Sequence, residues 1–419
     1  MPPTSTLQPA RAQRYRVAFA LVTSLFFLWA FVHNLEPILI PHLKKACQLT
    51  DLQSAFIDSS VYLAYFLVAI PAGLVMKRFG YKQGILMGLA LYALGALLFW
   101  PAASTRLYGL FLGALFIIAA GCAFLETAAN PYVTLLGPPE TATTRLNLSQ
   151  SFNGLGAVLG PWLGGQFILS GIEHTDAELA AMSPAQLATY LQSEADSVKV
   201  PYLIIAGVVL LVLGLVAITR LPDVRSTVTE RVASLTTALR HRQLSGGVVA
   251  QFFYVGAQVC VTSFFIRFAR FTSDVPEKQA AQWLTIAMLG FLAGRFVGTF
   301  LTRYITASRL LLIYSLVSLA LLAVAVLAQS ELAVWAVFAV PFFESIMFPT
   351  IFALGIRGLD EDRELGSSLL VMAIAGGAFF PLLMGWLSDQ TDIQTAYAVP
   401  MLCFLVVAWY ARRTEVDSR

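Results

Sequence analysis

The stretch "AFLETAANPYV", Ala123–Val133, sets a glutamate, an asparagine and a proline inside an apolar run that extends over 107–136. A charged side chain at the centre of a bilayer costs at least about 2.5–3.5 kcal/mol even on the lenient insertion scale, so one retained there faces a cavity and has a task. Glu126 is such a residue, nineteen positions beyond Leu107 and distant from either end of the run. A carboxyl that loads and unloads a proton, and also hydrogen-bonds a hydroxyl, can couple solute movement to a proton gradient. The competing account is a structural hydrogen bond between two helices.

Other polar groups recur in comparable places. In "WAFVHNLEPILIPHL" Pro37 and Pro41 remove backbone donors and predict a bent or broken helix whose freed carbonyls line a cavity, with His33, Asn34 and Glu36 clustered at the bend. Glu36 is either a site carboxylate or an acid hydrated at the outer interface. In "RLNLSQSFNGLGAVLGPWLGG" Asn147, Gln150 and Asn153 are three apart and fall roughly on one helical face. Amides donate and accept, which suits a polyhydroxylated ligand, and Gln150 is the foremost candidate; interhelical bonding, at about 0.6 kcal/mol per contact, is the alternative. In "QFFYVGAQVCVTSFF" Gln251, Tyr254 and Gln258 share a face, an aromatic with two amides, as sugar sites require. Trp29 could supply a further ring against a sugar's C–H face, or simply pack. Glu344 is either a second proton site, a partner of Arg295, or neutral.

These residues need membrane helices to hold them. The 419-residue chain is 58% hydrophobic and 12% charged, with a mean hydropathy of +0.74, about half the charge of a soluble globule. Apolar runs of the roughly 20 residues that cross a bilayer recur twelve times, over 15–40, 54–76, 83–102, 107–136, 147–170, 200–220, 244–270, 281–302, 308–329, 332–357, 365–387 and 394–411. The first is too long for a signal-peptide core and is read as a retained helix. With the N-terminus cytoplasmic, nineteen Lys and Arg fall in inside segments and seven outside, which places both termini inside. The net charge of +3 is therefore topology and not a nucleic-acid patch. Cys47, Cys122, Cys260 and Cys403 are scattered without metal-ligand spacing, and no nucleophile–base pair suggests an enzyme.

A basic polar connection separates six spans from six. It divides the chain into a cytoplasmic tail (1–14), an N-terminal half (15–220), a linker (221–243), a C-terminal half (244–411) and a second tail (412–419). A pseudo-repeat supports the division. Glu126 stands five residues before Pro131 with Arg145 fourteen beyond it, and Glu344 stands five before Pro349 with Arg363 fourteen beyond; Arg78 and Arg303 each follow a glycine, Gly73 and Gly298, by five. Parallel six-helix repeats with a basic linker describe the major facilitator fold, an all-α membrane protein whose substrate lies between the halves near the midplane.

Three further features bear on function. The outside segment 171–199 predicts a short surface helix, with Glu173, Asp176, Glu178, Glu194 and Asp196 on a solvated face. "GAVLGPWLGG", Gly156–Gly165, resembles the glycine-proline motif of drug/proton antiporters, but glycines so spaced also let helices approach closely, and that account is preferred. "KRFGYK" resembles the superfamily's cytoplasmic loop signature, a gating element, with Lys77 where aspartate is usual.

"LETAANPYV", "RLNLSQSFNGLGA", "FYVGAQ", "GRFVGT", "PTIFALGI" and "GSSLLVMAIAGGAFFP" together resemble the fucose–galactose–glucose:proton symporter family, in order from about residue 25 to residue 405. The resemblance implies a proton-coupled monosaccharide importer of the bacterial inner membrane that works by alternating access. It carries the family's fourth-helix glutamate onto Glu126, its first-helix asparagine onto Asn34 and its fifth-helix glutamine onto Gln150. The family's first-helix aspartate falls on Pro37, and the carboxylate here is Glu36, one residue earlier and about 100° around a regular helix. Either Glu36 replaces it, or Glu126 couples alone, or the ion differs. Met347 stands where fucose-transporting members carry glutamine, which points toward glucose, galactose or a related hexose.

The expected protein is thus a hexose:proton symporter, with Glu126 and Glu36 in proton coupling and Asn34, Glu126, Gln150, Asn153, Gln258, Tyr254 and Trp29 at the substrate. Its expected partners are the sugar and the lipid bilayer, with no nucleic acid; it acts as a monomer and uses no cofactor beyond the coupling proton, or sodium in its place. The alternatives are an L-fucose or N-acetylglucosamine symporter, a sodium-coupled sugar symporter, a drug/proton antiporter, and a transporter-like sensor. Glu126→Gln is expected to abolish gradient-driven accumulation while sugar exchange survives; full accumulation in that variant would remove Glu126 from the coupling step.

Overall fold

The computed structural model describes residues 9–137, 142–169, 171, 174, 176–222, 241–328, 330–357 and 363–417. Residues 1–8 of the expected first tail and most of the expected linker, 223–240, lie outside the described residues, as does Glu173. The described chain is helical throughout. In the first half run α1 (Pro9–His33), α2 (Glu36–Cys47), α3 (Asp51–Phe79), α4 (Tyr81–Thr105), α5 (Tyr108–Leu135), α6 (Ala142–Phe167), α7 (Asp176–Ala181), α8 (Pro184–Asp196) and α9 (Lys199–Ile218). The second half holds α10 (Arg242–Ser263), α11 (Phe265–Ser273), α12 (Glu277–Leu301), α13 (Ala307–Leu327), α14 (Glu331–Glu344), α15 (Met347–Gly355), α16 (Arg363–Met372), a 3₁₀ turn (Ala373–Ala375), α17 (Gly376–Gln390), α18 (Ile393–Ala396) and α19 (Ala398–Asp417).

Eleven segments among the described residues are long and apolar enough to cross a membrane. The twelfth span is α6, 26 residues long, whose first half carries Gln150 and Asn153 and is less apolar for that reason. Its polarity suits a helix that faces a partner helix or a cavity more than lipid. The expected surface helix of 171–199 forms as α7 and α8, and a capping box starts α8: the Gln186 side chain accepts from the Ser183 backbone at 2.9 Å while the Ser183 hydroxyl accepts from the Gln186 amide.

Several spans are broken, each near its middle or outer third. The first breaks at Asn34–Leu35, with Pro37 in the opening turn of α2 and Pro41 inside it, as the two prolines lead one to expect. The seventh breaks at Phe264, between α10 and α11, without a proline. The tenth breaks at Ser345–Ile346, while its repeat mate α5 runs unbroken through Pro131. The eleventh passes through the 3₁₀ turn before α17.

Within the first half α5 packs on α3 and α4, and α1 on α6; in the second, α10 packs on α17 and α19, and α13 on α14 and α19. The halves meet mainly along two seams, α3 against α17 and α6 against α12, and α3 also meets α10 where Ser263 bonds Asp58. Gly156 and Gly160 let α6 lie on the backbone of α1: a Cβ at Gly156 would come to 2.8 Å from the Phe27 carbonyl oxygen, and one at Gly160 to 2.9 Å from that of Phe31, while Gly164 faces the side chains of Leu35 and Ile38. The glycine-proline stretch is therefore a close-approach surface, as the small-residue account holds.

Gly376 sits more tightly still, since a Cβ there would overlap the Phe252 carbonyl oxygen, whereas Gly73 has open space around it. Gly376→Ala is expected to destabilise the protein by at least about 1–3 kcal/mol through overpacking, read as a lower thermal midpoint in detergent. Gly73→Ala is expected to leave the midpoint unchanged or slightly raised; equal behaviour of the two variants would contradict this packing account.

Candidate functional site

The break in the first span turns three polar side chains toward the seam between the halves. His33 closes α1, Asn34 lies in the break, and Glu36 opens α2. The Asn34 amide donates to the Ala30 carbonyl at 2.8 Å, closing the end of α1. His33 bridges two elements: its Nδ1 lies 3.3 Å from the Glu36 carboxylate and its Nε2 lies 3.0 Å from the Tyr62 hydroxyl of α3. Glu36 is buried, with 6% of its surface exposed, so the interfacial, hydrated account of it does not hold here.

These groups line a cavity of about 210 Å³ enclosed between the two halves. From the first half it receives Asn34, Glu36, Asp58 and Asn153, and from the second Gln258, Thr262, Arg295 and Glu344. A wall of amides, hydroxyls and carboxylates around so small a volume suits a compact polyhydroxylated solute; drug-sized sites are mostly apolar and run to about 300–1,000 Å³. Pro37, Pro161, Val259, Leu284, Met288 and Phe291 contribute to its apolar part, the larger share of the wall. The pairing of Glu344 with Arg295, one of the three alternatives for this residue, does not form: the Glu344 carboxylate is fully buried and neither oxygen has a hydrogen-bond partner among the described residues. The Arg295 guanidinium instead lies over the Phe291 ring at 4.9 Å.

Sequence inspection missed Asp58. It is 1% exposed, its Oδ1 accepts from the Ser263 hydroxyl of α10 at 2.9 Å across the seam, and its Oδ2 is unpartnered. The available signal was the series Asp58, Tyr62, Tyr65, an acid and two phenols at i, i+4 and i+7 on one helical stripe.

Glu126 lies elsewhere. It lines a second cavity, of about 270 Å³, with Tyr65, Thr127 and Asn130 on the first-half side and Met372 and Ala375 on the other. Gln150 reaches this group, donating to Asn130 Oδ1 at 3.2 Å, and Asn130 in turn donates to the Glu126 backbone carbonyl at 3.0 Å. Between the two cavities stand His33, Tyr62 and Tyr65; the His33 ring meets those of Tyr62 and Tyr65 edge-on at 5.4 and 6.2 Å. The residues expected at one site thus divide in this form of the molecule: Asn34, Glu36, Asn153 and Gln258 at the central cavity, Glu126 and Gln150 at the other.

Two expected contacts, Trp29 and Tyr254, belong to neither cavity, nor does Gln251 on the same helical face as Tyr254. Trp29 is buried with its ring 4.4 Å from that of Phe26. Tyr254 is fully buried and donates to the Glu344 backbone carbonyl at 2.9 Å. Gln251 is fully buried with both amide atoms unpartnered. It lies two turns, roughly 10 Å, along α10 from Gln258, so a shared face does not put both at one cavity. Met347 is fully buried in α15.

The two halves are tied together at the end of the molecule that carries the α4–α5, α8–α9 and α13–α14 turns, here termed the loop end. There the Asp51 carboxylate takes Lys44 and Arg267, each at 2.6 Å, and the Ser388 hydroxyl at 2.6 Å. Asp389 of α17 accepts from the backbone N–H groups of Asp51 and Leu52 at 2.7 and 2.9 Å, so a second-half carboxylate caps a first-half helix. Beside this knot Lys45 lies 3.3 Å from Glu194 and 3.4 Å from Glu277, and Arg270 lies 3.0 Å from Glu277. The expected solvated face is corrected for Glu194: it is 1% exposed, because α8 folds back onto α2 and delivers it to Lys45 and His42. Glu178 remains exposed, as expected. Among the described residues no group of three His, Cys, Asp or Glu side chains could hold a metal ion.

Arg267 makes one of the ties that join the halves at the loop end, beside those of Ser388, Asp389 and Glu277, so Arg267→Gln is expected to shift the molecule toward a form open at that end. Losing about 1.4 kcal/mol moves such a population tenfold. Spin labels at Leu107 and Leu327, both exposed at this end, are expected to report a longer-distance population in the variant; unchanged distances would show that the knot does not hold the halves.

Residues 17–373 match the Major Facilitator Superfamily. The chain is 44% identical over 413 residues to the L-fucose-proton symporter of Escherichia coli (strain K12), covering 96% of this chain and 94% of the relative. It is 41% identical over 405 residues to the glucose/galactose transporter of Brucella abortus, covering 95% and 94%. The crystal structure of the major facilitator transporter FucP in the outward conformation superimposes with a TM-score of 0.69 at 43% identity, covering 96% of this chain and 99% of that one. Similarity of this strength along nearly the whole length places the chain in the Major Facilitator Superfamily, within the family of the fucose and glucose/galactose transporters, as a transporter and not an enzyme.

Proposed function

We propose that this protein imports a monosaccharide across a bacterial inner membrane together with a proton, by alternating exposure of the central cavity. The observation that carries the reading is that cavity: small, enclosed between the halves, and lined by the amides of Asn34, Asn153 and Gln258 beside the carboxylates of Glu36, Asp58 and Glu344. The amides match the hydroxyl pattern of a hexose, and the relatives named for fucose and for glucose and galactose support a sugar of that size. Glucose, galactose or a related hexose is the favoured substrate, with L-fucose the alternative that the fucose symporter's similarity supports.

In this reading both termini are cytoplasmic, the loop end faces outward, and the single chain is the working unit. The Asp51 knot then closes the outer mouth, and the cavity of Glu126 lies on the inner side of His33 and Tyr65. Glu126 and Glu36 exchange the coupling proton. His33, 3.3 Å from Glu36 and 3.0 Å from the Tyr62 hydroxyl, supplies a titratable link on the path between them. Asn34, Asn153 and Gln258 hold the sugar, with Gln150 joining when the two cavities merge during the cycle.

The test is uptake of labelled monosaccharides into proteoliposomes under an imposed proton gradient and, in parallel, a sodium gradient. Accumulation of a hexose under the proton gradient alone is the expected result. Accumulation under sodium alone would reassign Glu36 and Glu126 as cation ligands, and no sugar movement under either would remove the symport reading.

A further inference from the structure

Asp58 has an environment that neither the sugar contacts nor the paired carboxylates of the loop end share. It sits on α3 at the seam with α10, and its single hydrogen bond crosses from one half to the other: the Ser263 hydroxyl donates to Oδ1 at 2.9 Å. Oδ2 is buried and has no partner among the described residues, although the residue lines the central cavity. The cation nearest in sequence order across the seam, Arg267, is already engaged, its Nη1 at 2.6 Å from Asp51 and 2.7 Å from the Ser54 hydroxyl.

The other charged and titratable groups around Asp58 do not neutralise it. Glu36 and His33 face it from the first span, and His33 is committed to Glu36 and Tyr62. Tyr62 on its own helix and Tyr108 on α5 are uncharged phenols. Across the seam lie Cys260, Ser263 and Arg267, and Glu344 adds a further acid to the same cavity. On α17, packed against α3, Ser388 and Asp389 are both bonded at Asp51. A buried carboxylate left without a cation costs several kcal/mol as an ion, and far less as the neutral acid.

We propose that Asp58 is a proton carrier of the transport cycle and the latch that reports closure of the seam: it takes a proton on Oδ2 from water when α3 and α10 part at the loop end, and carries it as the Ser263 bond re-forms and that end closes. The carboxylate and the water-borne proton give a carboxylic acid, with no bond to the sugar made or broken. The proton returns to water when the cavity opens to the opposite side. Proton loading is thereby tied to seam opening by position, because the Ser263 bond holds α3 and α10 together beside Asp58 until they part, and release goes through the central cavity that Asp58 also lines. The proposal rests on the symport reading above, and it adds a carboxylate on the second span to those of the first and fourth.

The experiment compares wild type, Asp58→Asn, Asp58→Glu and Ser263→Ala in proteoliposomes, each assayed for accumulation of the transported hexose under a proton gradient and for sugar exchange without one. Asp58→Asn keeps the Ser263 bond and fixes the side chain as neutral, so exchange is expected to persist while accumulation is lost. Asp58→Glu is expected to regain part of the accumulation. Ser263→Ala keeps the carboxylate and is expected to move the pH midpoint of exchange while leaving accumulation present. Accumulation by Asp58→Asn equal to wild type overturns the proposal, as does loss of exchange together with accumulation in a folded Asp58→Asn. If Asp58→Asn does not fold, an unmoved pH midpoint in Ser263→Ala overturns it. Failure of wild type to accumulate sugar would instead remove the symport reading, which separates the two outcomes.

Discussion

The Asp51 carboxylate gathers Lys44 from its own half and Arg267 and Ser388 from the other, while Asp389 reaches back to cap the helix that Asp51 begins. Charge-assisted bonds of this kind are roughly twice as strong as neutral ones, and they are reversible because their partners can be rehydrated when the halves part. The rest of the arrangement follows from that closure. With the loop end tied, α3 and α10 are held together where Asp58 meets Ser263. The knot is also economical in position, since Arg267 serves Asp51, Ser54 and the Phe264 ring at once.

Below the knot the logic of charge reverses. At the loop end each buried acid has a cation: Asp51 has Arg267, Glu194 has Lys45, Glu277 has Arg270. Around the cavities Asp58 and Glu344 lack one, and Glu36 has only a histidine. Paired charges fix a conformation, whereas unpaired acids are tolerated only where a proton or a ligand can complete them. The two populations of carboxylate are separated by a few turns of helix. This separation matches a machine in which one set of groups holds the gate and another handles cargo.

Much of this was legible in the sequence. Twelve spans, the basic connection and the Glu126/Pro131 and Glu344/Pro349 repeat define the fold, because hydrophobic length and proline spacing are local properties. The break in the first span was legible for the same reason, through Pro37 and Pro41. What the sequence did not disclose depends on the meeting of distant segments. Asp58 became a site residue only because α10 lies across the seam from it, and Glu194 became a buried partner only because α8 folds onto α2. Gln251, Tyr254 and Gln258 share a face, yet that face runs from the packed interior to the cavity, so periodicity alone overcounted the contacts. The division of Glu126 and Glu36 between two cavities is a property of one conformation, which a single sequence does not specify.

The central claim is that sugar and proton move together through a cavity whose acids lack fixed cations. Its most direct test is the pH of a lightly buffered suspension of energy-depleted proteoliposomes as the transported hexose is added down its gradient. The account predicts that the medium turns alkaline as sugar enters, in proportion to the sugar taken up, and that a proton ionophore abolishes the change. Sugar entry at an unchanged external pH would contradict it.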